Sequence, residues 1–414
     1  MAFGDGGRMN SSDVNASGKS RAGVILRAGV HRIKPILRPV YWPLRSFARF
    51  IVWAIPSLGR LVTPRATQGR RILVVYDTSS QPFSIGDLLI FQEASLVLCD
   101  THQVDVVDFA IVFDPKNPAS SDPVFAGTVT EENVMYHLAS LLPIAQVNPR
   151  LGSIFVFDSH AHLQRHITDN ADRYHVWPSG WKVATREYLS PTIFNDLLYA
   201  HYERHGSIPQ LSCRPFLRTW AERFYSEHVR PQVPVTVNIR NNKLWHLNRN
   251  SQIDCWVQFF QHCESRFPVK FVLICAYSEI DIRLRGCTNV IFAKDHHTGV
   301  EQDMALIHSS AMHMGAGSGP ATMAWFNSKP YLMVNTTYQA GEFFERPGMI
   351  VQEESRIQRF WFAGPNQRIA NEKESAELLI REFALLWEGI DKEVWRSQSG
   401  SERRQSATLQ TWLR

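Results

Sequence analysis

Residues 312–330 read M-H-M-G-A-G-S-G-P-A-T-M-A-W-F-N-S-K-P. The apolar start, Met312–Met314, suits a short buried strand. It runs into Gly315, Gly317, Ser318 and Gly319, then Pro320, a residue suited to the first position of a helix. Met323, Ala324 and Phe326 continue the helix. Lys329 and Pro330 end it before a second apolar run, Tyr331–Val334. Strand, glycine turn, helix and strand in that order make one βαβ unit. Glycines let backbone approach a ligand closely, and a helix start presents unpaired N–H groups with a positive dipole end. Ser318 adds a hydroxyl. The turn therefore suits a phosphate or diphosphate; the plainer alternative is a tight strand–helix connection with no ligand.

Working outward, similar apolar runs occur at Ile72–Tyr76, Val104–Phe113, Ser153–Phe157, Val233–Ile239, Lys270–Cys275 and Asn289–Phe292. Continuous apolar runs mark strands buried on both faces, as in parallel sheets. Helical patterns separate them. Ser251 with Asp254 is expected to open a helix carrying Ile253, Trp256, Val257, Phe260 and Cys263 on one face. Asn371 with Glu374 is expected to open another through Leu378, Leu379, Phe383, Leu386 and Ile390. The fold class is therefore α/β, with two Rossmann-like doubly wound domains facing a cleft. Gly206, Pro209, Pro215, Pro231 and Pro234 cluster around a helical stretch at Phe216–His228. The boundary is placed there, giving domains at 71–230 and 231–396, about 160 residues each, and a tail at 397–414.

Composition agrees. Apolar residues make up 44% and charged residues 20% of 414, enough for packed cores and too apolar for general disorder. The six cysteines include no C-x-x-C pair, which argues against a zinc knuckle, and the thiols read as reduced and mostly buried in a cytosolic body. The net charge is +5, and its distribution matters more than its size. Residues 1–70 comprise a Gly-, Ser- and Asn-rich tip over 1–20 and then a basic amphipathic arm, with no Asp or Glu between Asp13 and Asp77. Its arginines alternate with Tyr41, Trp42, Phe47, Phe50 and Trp53. Aromatic rings at headgroup depth and guanidinium groups on phosphates suit an anionic membrane surface, here through residues 21–66. The Phe50–Gly59 stretch is too short to span and contains Pro56. A basic arm packed on the body, a nucleic-acid contact and a transit peptide are the alternatives.

Four places carry candidate chemistry. The stretch 235–250, V-T-V-N-I-R-N-N-K-L-W-H-L-N-R-N, ends a buried strand in Asn238 and Arg240, followed by Lys243, His246 and Arg249. Charged groups at the carboxyl end of a core strand face the ligand crevice of such folds. Arg240 can hold a diphosphate leaving group by bidentate hydrogen bonds; the alternative is a surface arginine at a strand end. Residues 84–89, S-I-G-D-L-L, offer Asp87 either as a helix cap or as a general base toward an acceptor hydroxyl. Residues 157–166, F-D-S-H-A-H-L-Q-R-H, place Asp158, His160 and His162 at a metal-ligand spacing if the segment is extended. That resembles the D-x-H-x-H start of metal-dependent amidohydrolases, with Asp295, His296 and His297 as further ligand candidates. In a two-domain transferase, His297 instead falls near the nucleotide. The nearest approach to a D-x-D triplet, Glu279-Ile280-Asp281, lies in a polar loop, so a metal-clamped diphosphate is disfavoured.

Together these motifs resemble GT-B glycosyltransferases. The G-x-x-S-G-P of residues 315–320, with K-P at 329–330, resembles the donor-phosphate loop of that group, including heptosyltransferases. The V-N-I-R of 237–240 is similar to the H-x-R strand end of fucosyltransferase-like members, with Asn238 where they carry histidine. R-N-x-x-I at 249–253 matches the same bacterial group, and S-I-G-D resembles the N-terminal loop of the heptosyltransferase type. The resemblance implies a metal-independent glycosyltransferase with a nucleotide-sugar donor as substrate and no cofactor. Arg240 and Asp87 would be catalytic. Asn238, Lys243, Arg249, Gly315, Gly317, Ser318, Gly319 and His297 would bind the donor. A glycan or glycolipid acceptor on the inner face of the cytoplasmic membrane, and no nucleic acid, complete the expectation. The alternative is a hydrolase using the Asp158/His160/His162 cluster.

Overall fold

Ile72 to Tyr76 are each at most 1% exposed, as a strand covered on both faces requires. They belong to β1, Arg71–Asp77. The computed structural model describes residues 70–119, 127–179, 188–243, 247–335, 350–354, 357–392 and 395. The basic arm, His246 and the 397–414 tail lie outside them.

Beside β1 lie β2 (Val107–Val112), β3 (Leu151–Phe157) and β4 (Tyr174–Trp177), in the order β3-β2-β1-β4 with every pairing parallel. The second sheet holds β5 (Val233–Asn238), β6 (Val269–Leu273), β7 (Val290–Phe292), β8 (Met312–Ala316) and β9 (Tyr331–Val334). It continues through β10 (Ile350–Glu354), β11 (Ile357–Phe360) and β12 (Gln367–Ala370). Its order is β10-β11-β12-β9-β8-β5-β6-β7. From β7 to β12 all pairs are parallel; β10 and β11 form an antiparallel extension. The six parallel strands have the doubly wound order 3-2-1-4-5-6, and the first sheet has its first four strands. The chain is thus α/β with two Rossmann-like sheets. Each has a switch point: between β1 and β4 in the first, between β5 and β8 in the second.

Two expected helix starts are corrected. Ser251 does not cap: its Oγ accepts from the Arg240 N–H at 3.2 Å, and the helix Ile253–Glu264 starts after Gln252. The Gln252 N–H donates to the carboxylate of Glu374, whose other oxygen takes the Trp256 indole N–H at 2.8 Å. Glu374 is therefore spent on a neighbouring helix, and Ser375 caps Ala376–Glu388 instead. The polar groups went to tertiary partners that local spacing does not reveal.

The helix Ile85–His102 is buried from Gly86 to Cys99 and so carries polar side chains inside. Asn148 Nδ2 bridges Gln92 Oε1 at 3.0 Å and Ser95 Oγ at 2.7 Å. Glu93 is 0% exposed, and neither carboxylate oxygen has a partner among the described residues. Burial, helped by Asp100, pushes its carboxyl well above the usual range. The folded state thus keeps a proton that the unfolded chain releases, so stability falls as pH rises from the ordinary carboxyl range toward that raised value. Glu93→Met is expected to stabilise the fold at about pH 7 by roughly 1–3 kcal/mol and to flatten this pH dependence. Urea denaturation of both proteins at about pH 5 and about pH 8 checks the sign.

Candidate functional site

At the switch point of the second sheet, β5 and β8 run side by side, with Asn238 opposite Gly315. Gly315 has φ +154°, and a Cβ there would lie 2.3 Å from the Asn238 carbonyl oxygen. Only glycine lets the two backbones meet this closely. Asn238 is 4% exposed, and its amide ties three strand ends together. Nδ2 donates to the Ile274 carbonyl beyond β6 at 2.7 Å, and Oδ1 accepts from the Ser318 hydroxyl. The asparagine thus shapes the glycine turn from below.

The loop after β5 is closed at its base. Ser251 N–H donates to the Arg240 carbonyl at 2.8 Å, and Asn242 N–H donates to Asn250 Oδ1 at 3.0 Å. Asn335, at the end of β9 with φ +52°, donates Nδ2 to the Asn250 carbonyl at 2.6 Å. This brings Arg240, Lys243 and Arg249 onto one short loop. Arg249 Nη2 donates to the carbonyl of Gly317, fastening that loop to the glycine turn. Arg240 is half-buried. Burial first, then the Arg249 charge, push its guanidinium below the usual range, while Glu279 opposes the shift. Lys243 is exposed and reaches Asn241 Oδ1 at 2.7 Å. Two guanidiniums close enough to repel, beside a glycine turn, make a site that gains from an anion. The helix after the turn, Ala321–Trp325, has only five residues. The expected contribution of its dipole is therefore minor.

The helix that follows β1, Ile85–His102, meets this turn directly. A Cβ on Gly319 would lie 2.8 Å from Ile85 Cβ, and one on Gly86 would lie 3.1 Å from Thr322 Oγ1. The S-I-G-D and G-x-x-S-G-P motifs thus pack on each other. Ser84, not Asp87, caps the Ile85–His102 helix, its side chain accepting from the Asp87 N–H at 3.5 Å. Asp87 is 8% exposed, and its Oδ1 accepts from Tyr188 Oη at 2.7 Å and Ser190 Oγ at 2.5 Å. No spacing in the sequence marks Tyr188 or Ser190 as its partners.

The metal cluster does not form. Ser159 caps the helix His160–Asp169, so His160 and His162 lie on a helical turn and face different ways. His160 Nε2 is 2.8 Å from Asp77 Oδ2, whereas His162 Nδ1 is 2.8 Å from Asp158 Oδ1. Asp295 is held by Arg285 at 2.7 and 3.0 Å, which lowers its carboxyl below the usual range. The His296 ring lies 4.2 Å from that of His228. His297 is exposed, with φ +57°, at the end of the turn after β7. Glu279 accepts from Asn242 Nδ2 at 3.2 Å, and Asp281 is held down to about 2 by Arg283. Among the described residues no three His, Cys, Asp or Glu side chains gather as a ligand set. The hydrolase expectation failed because a capped helix replaced the extended segment it required. No helix among these residues is long and apolar enough to cross a membrane.

Neither the protein-family models nor the curated proteins give a match to this sequence. Solved structures do. A family 9 glycosyl transferase from Veillonella parvula aligns over 78% of this chain and 98% of its own, at 12% identity and TM-score 0.47. The ADP-heptose LPS heptosyltransferase II of E. coli aligns over 76% and 98%, at 10% identity and TM-score 0.46. An E. coli heptosyltransferase with ADP aligns over 76% and 99%, at 12% identity and TM-score 0.41.

Proposed function

We propose that this chain is a glycosyltransferase taking its sugar from a nucleoside-diphosphate sugar. One observation carries the reading. Arg240 and Arg249 leave β5, the glycine turn leaves β8, and these are the two strands flanking the switch point of a doubly wound sheet, where such folds bind ligands. A diphosphate there is met by Arg240, Lys243 and Arg249 and by the backbone of Gly317, Ser318 and Gly319. As the bond from the sugar to the phosphate oxygen breaks, these cations take up the charge left on the leaving nucleotide. Asn238 and Gly315 hold the turn in place, and His297 stands beyond β7 on the nucleotide side. No metal is required, because the cationic side chains do the clamping. The acceptor, on the side of the first sheet, is a glycan or glycolipid. Residues 21–66 bring the enzyme to the inner face of the cytoplasmic membrane by their arginines and aromatic rings.

Thermal unfolding with a panel of nucleoside diphosphates, with and without EDTA, tests this. A ligand at 100 times its Kd is expected to add about 2.7 kcal/mol. A shift with one base, unchanged by EDTA, is the predicted result. No shift with any nucleotide contradicts it.

A further inference from the structure

His201 is 8% exposed on the helix Tyr199–His205, and the carboxyl end of the buried helix Ile85–His102 brings Asp100 beside it. Both ring nitrogens of His201 face oxygen. Nδ1 is 3.0 Å from the Ser207 carbonyl, which can only accept, so a proton sits on Nδ1. In the neutral ring that leaves the Nε2 lone pair, and it faces Asp100 Oδ2 at 3.5 Å. Two acceptors so placed repel unless a cation lies between them. The gap exceeds the about 2.7–3.2 Å of an N–H···O hydrogen bond. It matches the roughly 3.4 Å that separates two ligands each about 2.1 Å from a tetrahedral zinc. Both groups are also held from behind, as zinc ligands are. Ser207 fixes the tautomer and tilt of the imidazole, and Arg150 Nη1 holds the other Asp100 oxygen at 2.7 Å. His205 stands four residues after His201 on the same helix face, the spacing by which one helix offers two histidines to one metal. Its ring lies against that of His201, centroids 4.3 Å apart, so three ligands do not converge in this rotamer.

We propose that Asp100 Oδ2, His201 Nε2 and His205 bind one zinc ion, with water as the fourth ligand, as the exposed His205 side chain turns toward the pair. Imidazole nitrogens with one carboxylate suit zinc, whereas magnesium and calcium take oxygen ligands. The role is structural. Asp100 lies fourteen residues beyond Gly86 on one helix, about 21 Å along its axis, so the ion takes no part in chemistry at the glycine turn. The ion ties the carboxyl end of that helix to the helix before Ser207, where a connecting segment starts. That segment is bound on both sides: the Leu211 N–H donates to the Phe326 carbonyl at 2.9 Å, and the Ser212 N–H to the Val147 carbonyl at 3.0 Å. The proposal does not rest on the glycosyltransferase reading.

The test uses the full chain, stripped with EDTA and returned to metal-free buffer. It is titrated with zinc chloride by calorimetry, and its thermal unfolding is followed alongside. The wild-type chain is expected to take up one zinc ion with a micromolar or lower Kd and a raised Tm, and to ignore magnesium. His205→Ala is expected to weaken zinc binding by more than the about 10–100-fold that loss of an outer partner costs. His201→Ala and Asp100→Asn are expected to do the same. His205 is exposed, so its variant keeps the test sound if His201→Ala, which also loses the Ser207 contact, fails to fold. His162→Ala, in the separate pair with Asp158, is the control and should bind zinc as the wild type does. EDTA is expected to lower the Tm without nucleotide while leaving any nucleotide-induced shift in place, so this proposal and the transferase reading fail separately. Absence of zinc binding, or the same affinity in His205→Ala as in the wild type, overturns the proposal.

Discussion

Arg240→Ala and Arg249→Ala are each expected to lower turnover about 10²–10³-fold while leaving the fold intact, the scale seen when one donor to a developing oxyanion is removed. Arg240 comes from the loop at the end of β5, and burial and the neighbouring Arg249 already strain its charged state. Losing it relieves repulsion in the empty site, so unfolding measurements should show little destabilisation. Arg249 has a second job, since its guanidinium holds the Gly317 carbonyl. Its alanine variant should therefore lose nucleotide affinity as well as kcat, whereas Arg240→Lys should recover binding more than rate, because lysine supplies charge without the bidentate fork. Nucleotide affinity should also weaken as salt rises, by screening of the exposed Lys243. Full turnover in Arg240→Ala is the outcome that removes this site from the chemistry.

Gly315→Ala is expected to destabilise the protein by about 2–4 kcal/mol and to abolish nucleotide binding. The cost has two sources. The φ of +154° is closed to L side chains, and the added methyl would meet the Asn238 carbonyl oxygen at 2.3 Å. Relief requires β5 and β8 to separate, which pulls apart the Asn238–Ser318 hydrogen bond and with it the turn. Gly127 is the control: it also has positive φ, +88°, but a Cβ there would meet nothing within 4 Å. Gly127→Ala should cost only the backbone strain and spare binding. Urea denaturation with nucleotide titration of both variants reads the difference; equal losses would deny that the turn is held by close backbone approach.

Much of this framework was legible in the sequence, for a physical reason. Strands buried on both faces read as mainly apolar runs: β1 is unbroken from Ile72 to Tyr76, while β5, β6 and β8 are apolar around Thr236, Lys270 and His313. The glycine turn and Arg240 follow such strands directly, so their place at strand ends could be read. β4 is four residues long, and β10 to β12 mix charged and apolar residues, so none of them gives such a run. Partners far apart in the chain were not legible either. Glu374 reaches Gln252 and Trp256, and Asp77 reaches His160 across 83 positions. The His-x-His misreading had a local warning, since Ser159 is a good helix cap immediately before His160.

The most direct measurement is hydrogen–deuterium exchange of the full chain with and without the nucleoside diphosphate that stabilises it. The account predicts slowed exchange in two separate stretches, residues 238–251 and 315–322, which the sheet order brings together at one switch point. Protection confined to other segments, with these two unchanged, would place the nucleotide elsewhere and contradict the account.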